Sequence, residues 1–233
     1  MSDAMPLPLM ASCLLFDMDG TLIDATKLID RIWIAWSKRH GIDPLQVLSG
    51  SRGQRIVDTV RAHAPASDVA AEVDWLSRQA HDEPIGPDAM PGAAAFLAGI
   101  PGDRWAVVTS AMRPLAEHWL ATAGLPCPSV LVTGDDVADG KPDPGGYLLA
   151  LTRLACPPAR AVVFEDAPAG IEAACRAGIR VIGIANPDIR RTPVLSHWIP
   201  DFTCLSLVHD ATTQTCIVKA SDAEAHPIAC AQN

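Results

Sequence analysis

Residues 13–24, CLLFDMDGTLID, run as a buried-strand pattern through Phe16, stop at two acids, Asp17 and Asp19, and turn on Gly20. A bare strand end followed by a turn would account for Asp and Gly on local backbone grounds. A calcium loop of the Asp-x-Asp kind would not, because Leu22 occupies its glycine position and Leu28 its bidentate glutamate position. A third reading gives the acids chemical work: Asp17 attacks a phosphoryl group and Asp19 handles a proton. A cation between them and the substrate would suppress the repulsion of two carboxylates straddling a strand end.

Outward from this stretch, apolar runs at residues 105–109, 130–133, 161–165 and 180–185 alternate with helical patterns. That alternation predicts an α/β fold with a parallel, Rossmann-like sheet. Several of these strands end in polar residues, namely Asp17 and Asp19, Thr109, and Glu165 with Asp166. Ligands of open α/β sheets bind at the carboxyl ends of the strands, so these side chains should converge on one crevice. Residues 24–92 lack strong strand runs and show helical spacing at Leu28, Ile29, Ile32, Trp33 and Trp36, which predicts an inserted helical domain. The Pro- and Gly-rich stretch at 83–92, EPIGPDAMPG, is its return hinge. The expected division is a core of residues 1–23 and 93–219, a helical cap at 24–92, and a poorly ordered tail at 220–233. Beyond Ala185 the pattern weakens. Trp33, Trp36, Trp75 and Trp119 lie on helical patterns and are expected to pack in cores.

Composition narrows the function. The 233 residues are 49% hydrophobic with a mean hydropathy of +0.18, enough for one substantial core and a second small unit. A formal charge of -9 leaves no broad basic surface, which argues against nucleic acid and anionic membranes as partners. No apolar run reaches the roughly 20 residues of a membrane helix, and the first residues lack the basic start of a secretory signal. The seven cysteines, at 13, 127, 156, 175, 204, 216 and 230, show no metal-ligand spacing. They are expected to be reduced, mostly buried thiols of a cytoplasmic protein. The seven histidines are dispersed, with no metalloprotease pair.

Three further motifs follow in order: VVTS at 107–110, DGKPDP at 139–144 and VFEDAPAGIEAA at 163–174. With DMDGT they resemble the four motifs of the haloacid dehalogenase superfamily of phosphohydrolases, over a span from about Cys13 to Leu207. The resemblance implies that fold, with a helical cap of the first type. It makes Asp17 the nucleophile and Asp19 the general acid and base. Thr109 would bind a phosphoryl oxygen, with Ser110 beside it in the substrate site, and Lys141 would neutralise nucleophile and phosphate together. Gly20 and Thr21 would supply the turn and a backbone N–H to the phosphate. Mg²⁺ would sit on Asp17, the Asp19 backbone carbonyl and Asp166, with Glu165 as a ligand through water or a supporting partner. The acid at Asp19 argues against dehalogenation, whose leaving group needs no proton. It also argues against a mere phosphate sensor, since paired anions repel such a ligand.

The loop SGSRGQRIVDTV at 49–60 is similar to the cap loop of sugar and polyol phosphatases, with Arg52 where a His is usual. It directs Arg52, Gly53 and Arg55 towards the substrate. The expected activity is therefore a Mg²⁺-dependent phosphatase of a small sugar, polyol or cyclitol phosphate, with a phosphosugar mutase as the alternative. A small phosphate ester is the expected partner, and a monomer the expected state, with a dimer as the alternative.

Overall fold

The computed structural model describes residues 8–220. The chain opens with β1 (Leu9–Ala11), β2 (Cys13–Phe16) and the short β3 (Ile23–Asp24). Four helices follow: α1 (Thr26–His40), α2 (Pro44–Ser51), α3 (Ile56–His63) and α4 (Val69–His81). It then returns through β4 (Asp88–Ala89), α5 (Ala93–Ala98), β5 (Trp105–Val108), α6 (Arg113–Thr122), β6 (Val130–Val132) and α7 (Gly145–Arg153). The remainder is β7 (Ala161–Glu165), α8 (Pro168–Arg176), β8 (Arg180–Ile184), β9 (Leu195–Ile199), β10 (Leu205–Asp210) and β11 (Thr215–Ala220).

Six parallel strands form the main sheet in the order β6-β5-β2-β7-β8-β9. Its central strands are buried along their whole length, as expected where helices cover both faces. Alternation sorts their side chains. Leu14, Phe16, Val107 and Phe164 enter one core with α5 and α6, while Cys13, Leu15, Val108 and Val163 enter the other with α7 and α8. On the first face Phe16 stacks on Phe164 at 4.9 Å between ring centroids, and Phe96 and Phe202 close around the pair. From β2 the order runs to β5 on one side and β7 on the other, so the crevice opens at the end of β2.

The four helices of the insertion stand on the β3–β4 pair, where Ile23 is opposite Ala89. Asp43 caps α2 and Asp68 caps α4 through their carboxylates. Glu72 of α4 fastens α1, accepting from Trp36 Nε1 at 2.9 Å and lying 3.1 Å from His40 Nε2. Trp33, Trp36 and Trp119 are buried as the spacing predicts, whereas Trp75 is only partly buried beneath the Arg39 guanidinium.

The weak pattern after Ala185 conceals three strands. β9 extends the parallel sheet, and β10 and β11 join β1 in an antiparallel sheet of order β1-β11-β10. β9 and β10 lie at sheet edges, and all three strands mix polar with apolar residues, as in LSLVHD, so they lack the continuous apolar run that marks the central strands of the parallel sheet. Ala220 closes β11, and the expected tail beyond it, with Cys230, lies outside the described residues. Cys13, Cys127, Cys156, Cys175 and Cys216 are free thiols. Only Cys13 and Cys216 are buried and Cys127 is exposed, so the expectation of mostly buried thiols does not hold. Among the described residues no helix is long and apolar enough to cross a membrane.

Candidate active site

Three parallel strand ends bring the acids together. The Asp17 amide continues the β2–β7 ladder by donating to the Phe164 carbonyl at 3.0 Å, which fixes its side chain at the mouth of the sheet. β5 delivers Thr109, and β7 delivers Glu165 and Asp166; all are buried. Lys141 arrives from the loop between β6 and α7. Its Nζ donates to Asp17 Oδ1 at 2.5 Å and to Glu165 Oε1 at 2.6 Å, 5.3 Å from the centre of the Tyr147 ring. Burial lowers the lysine's pKa, but the Asp17 and Glu165 carboxylates more than offset that and hold it well above its ordinary value.

Glu165 is fully buried and saturated. It accepts from Lys141, from the Tyr147 hydroxyl at 3.0 Å and from the Ala167 amide at 3.0 Å. A Cβ at Gly170 would lie 1.5 Å from Glu165 Oε1, so only glycine lets α8 start beside this carboxylate. Asp166 accepts from Thr21 Oγ1 at 3.3 Å, and its backbone carbonyl accepts from Asn186 Nδ2 at 2.9 Å. Gly20 adopts φ +86°, and a Cβ there would lie 2.3 Å from Asp166 Oδ2. The Gly20 and Thr21 amides are used within the turn, on the Ile23 and Met18 carbonyls, so neither is free for the phosphate.

Carboxylate oxygens of Asp17, Glu165 and Asp166 lie within 4.8 Å of one another, the only such group among the described residues. Four acids, with Asp19, surround one lysine. Burial raises Asp17 to about 7, against the pull of Lys141, and raises Asp19 to about 8 with help from the Asp17 charge. Burial and the neighbouring Glu165 and Asp17 charges push Asp166 well above the carboxylate range. A divalent cation relieves this excess of negative charge, so the donor set fits a metal. The Asp19 carbonyl takes no hydrogen bond from the described residues and is free to join Asp17 and Asp166. Asp19 Oδ1 is buried without a partner. Thr109 Oγ1 accepts from the Ala111 amide at 3.0 Å.

A cavity of about 110 Å³ opens from Asp17, Asp19 and Asp166 towards the inserted helices. Arg52, Gly53 and Ser110 border it, whereas Thr109 and Lys141 line a smaller hollow alongside. Arg52 meets Asp30 at 3.4 Å. Gly53, at φ +74°, approaches the core closely: its carbonyl accepts from Ser110 Oγ at 2.7 Å, and a Cβ would lie 3.0 Å from Ala167 Cβ. Arg55 does not line the cavity. Its guanidinium grips both Asp58 oxygens, at 2.6 and 3.0 Å, and donates to the core carbonyl of Val137 at 3.0 Å. Tyr147 and Asn186 support the site without having been foreseen. Tyr147 is the chain's single tyrosine, six residues beyond Lys141, but neither sits in a motif, and only the fold brings them to the acids.

A family model described as haloacid dehalogenase-like hydrolase matches residues 11–178. Hexitol phosphatase A of Escherichia coli K12 is 41% identical over 181 residues, 74% of this chain and 82% of that one. Validoxylamine A 7'-phosphate phosphatase of Streptomyces hygroscopicus subsp. limoneus is 40% identical over 182 residues, 74% of this chain and 84% of that one. The crystal structure of CbbY from Rhodobacter sphaeroides in complex with phosphate superposes with a TM-score of 0.68 at 26% identity, covering 82% of this chain and 95% of that chain.

Proposed function

The chain belongs to the haloacid dehalogenase-like hydrolases, and on that premise we propose that it cleaves the phosphate monoester of a small sugar, polyol or cyclitol by way of a phosphoryl group carried on Asp17. It is a phosphoric monoester hydrolase. The observation that carries the mechanism is the buried lysine joining Asp17 to Glu165, next to an Asp19 oxygen without a partner.

In this scheme Lys141 holds Asp17 in place and offsets charge as the carboxylate attacks phosphorus. Glu165 and Tyr147 position Lys141 from behind. Asp19, protonated in the resting site, gives its proton to the leaving oxygen; as a carboxylate it then takes a proton from the water that attacks the aspartyl-phosphate. Dividing the displacement in two lets one acid serve both halves. Asp17, Asp166 and the Asp19 carbonyl form an oxygen-only set that suits Mg²⁺, while Glu165, with both oxygens engaged, supports from behind. When bound, Mg²⁺ neutralises the phosphoryl oxygens and lets Asp17 act as an anion. Residues 24–92 are the cap that closes over the leaving group. Every group named comes from one chain, so a monomer suffices, and the free thiols of Cys13, Cys127, Cys156, Cys175 and Cys216 are compatible with a cytoplasmic setting.

A mutase would need a cation in the cavity to hold a second phosphate. Arg52 is paired with Asp30 and Arg55 is spent on Asp58 and the core, which favours hydrolysis. Phosphate release across a panel of sugar, polyol and cyclitol phosphates with Mg²⁺ tests the proposal. Stoichiometric phosphate and free alcohol are expected, with no turnover by Asp17→Asn. Conversion of glucose 1-phosphate to glucose 6-phosphate without phosphate release would instead establish a mutase.

A further inference from the structure

Asp166 stands one residue past the sheet ladder, because the pairing of β7 with β8 ends at Glu165 opposite Gly183. A side chain takes over where the ladder stops. Asn186, just beyond β8, donates from Nδ2 to the Asp166 carbonyl at 2.9 Å, while its Oδ1 accepts from the Asp188 amide at 3.0 Å. A backbone amide can only donate and a backbone carbonyl can only accept, so these two partners leave the Asn186 amide one orientation.

Asn186 is itself anchored. Its backbone amide donates to the Ile184 carbonyl at 2.6 Å, and its own carbonyl accepts from Trp198 Nε1 of β9 at 3.0 Å. The chain reaches it through Ala185, a left-handed alanine at φ +58° whose amide donates to the Ile199 carbonyl at 3.0 Å. Such a backbone is unfavourable for alanine and persists where the surroundings hold it. Capping the turn at Pro187–Ile189 accounts for Oδ1 alone, and Asp or Ser would cap as well. Asparagine adds a second arm, the donor that reaches Asp166.

Asp166 is thereby held at both ends, its carbonyl by Asn186 and its carboxylate by Thr21 Oγ1 at 3.3 Å. Groups that hold a ligand from behind set how well it meets a metal. We propose, on the metal-site reading above, that Asn186 is a positioning residue for the divalent cation: by fixing the Asp166 main chain, with Trp198 as its own anchor, it sets the affinity for Mg²⁺.

The test titrates Mg²⁺ alone into the EDTA-treated, dialysed full chain by calorimetry, and melts each metal-free variant. Asn186→Asp keeps the acceptor for the Asp188 amide but sets a carboxylate oxygen against the Asp166 carbonyl, and should raise the Kd about ten-fold. Added negative charge alone would tighten a cation, so the direction of the change separates positioning from charge. Asn186→Ser, neutral and able to cap but too short to reach Asp166, should show a rise of similar size. Trp198→Phe loses the indole N–H and keeps the ring; it should raise the Kd about three-fold, and it carries the comparison if the Asn186 variants fail to fold. At saturating Mg²⁺ the kcat for p-nitrophenyl phosphate should return to within about two-fold of wild type. Unchanged or tighter Mg²⁺ binding in the variants would overturn the role of Asn186 while leaving the metal site intact. So would weaker binding seen only where the metal-free protein no longer melts cooperatively. Wild-type protein that binds no Mg²⁺ would overturn both.

Discussion

At Asp17 one carboxylate oxygen is held by the Lys141 ammonium, whereas two residues later Asp19 Oδ1 is buried with nothing to pair it. The first arrangement favours an anion fixed for attack. The second, with burial and the Asp17 charge raising Asp19 to about 8, favours a protonated acid at neutral pH that can donate to a leaving oxygen. Asp19→Asn should therefore cost about 10²–10⁴-fold on a sugar phosphate, whose alkoxide needs a proton. The loss in the first chemical step should be far smaller with p-nitrophenyl phosphate, whose phenolate leaves unaided. Pre-steady-state release of the two alcohols measures this, and identical losses would remove Asp19 from acid catalysis. The acids were legible in the sequence because an apolar run that halts at carboxylates is conspicuous. Tyr147 and Asn186 were not, since their roles depend on neighbours 18 and 20 residues distant in the chain.

Between elements, two charged junctions carry the geometry. Arg55, at the start of α3, spans from the cap to the loop carbonyls after β6, so it fastens cap to core. The cap-loop resemblance had directed it to the leaving group, but the spacing of a loop cannot tell which side of a closing seam a long side chain takes. Arg55→Ala should lower kcat/KM for a sugar phosphate and for p-nitrophenyl phosphate by the same factor, about ten-fold, because closure serves both. Sparing of the aryl ester would return Arg55 to the specificity site. Asp136 ties β6 to α6 and α7, taking the Thr133 amide and hydroxyl at 2.8 Å each and lying 2.7 Å from Arg113 and 3.3 Å from Arg153. Burial raises its pKa, but the Thr133 bonds and the two guanidiniums outweigh it and hold the carboxyl at about 2. A folded value below the unfolded one stabilises above the unfolded pKa of about 4, and that contribution is lost as pH falls from there through about 2. Asp136→Asn should cost about 2 kcal/mol at neutral pH, and the gap from wild type should narrow over that acid window in urea unfolding. A gap unchanged by acid would contradict the assignment.

Across the whole molecule, the central strands were legible because burial on both faces imposes unbroken apolar runs, and the helical insertion because Leu28, Ile32 and Trp36 keep a helical period. Strands β9 to β11 were not, since partly exposed strands need no such run. Nor did spacing reveal that Trp33 and Trp119 are both core residues and cavity wall, because burial in a helix stripe looks the same from either use. The fold stores four acids and one lysine at a single point, so a bound cation should stabilise the whole domain. Mg²⁺ at a hundred-fold excess over its Kd should add about 2.7 kcal/mol, a rise in Tm of roughly 5–10 °C over the EDTA-treated protein. Asp166→Asn should abolish most of that rise, and equal melting with and without Mg²⁺ would contradict the site. The central claim, that phosphate passes through Asp17, is tested most directly by mixing Asp19→Asn protein with p-nitrophenyl phosphate and Mg²⁺, quenching in acid and mapping the peptides by mass. Without its base the variant should release one nitrophenol per site in a burst and retain a phosphoryl group on Asp17. Nitrophenol release with no burst and an unmodified Asp17 would contradict it.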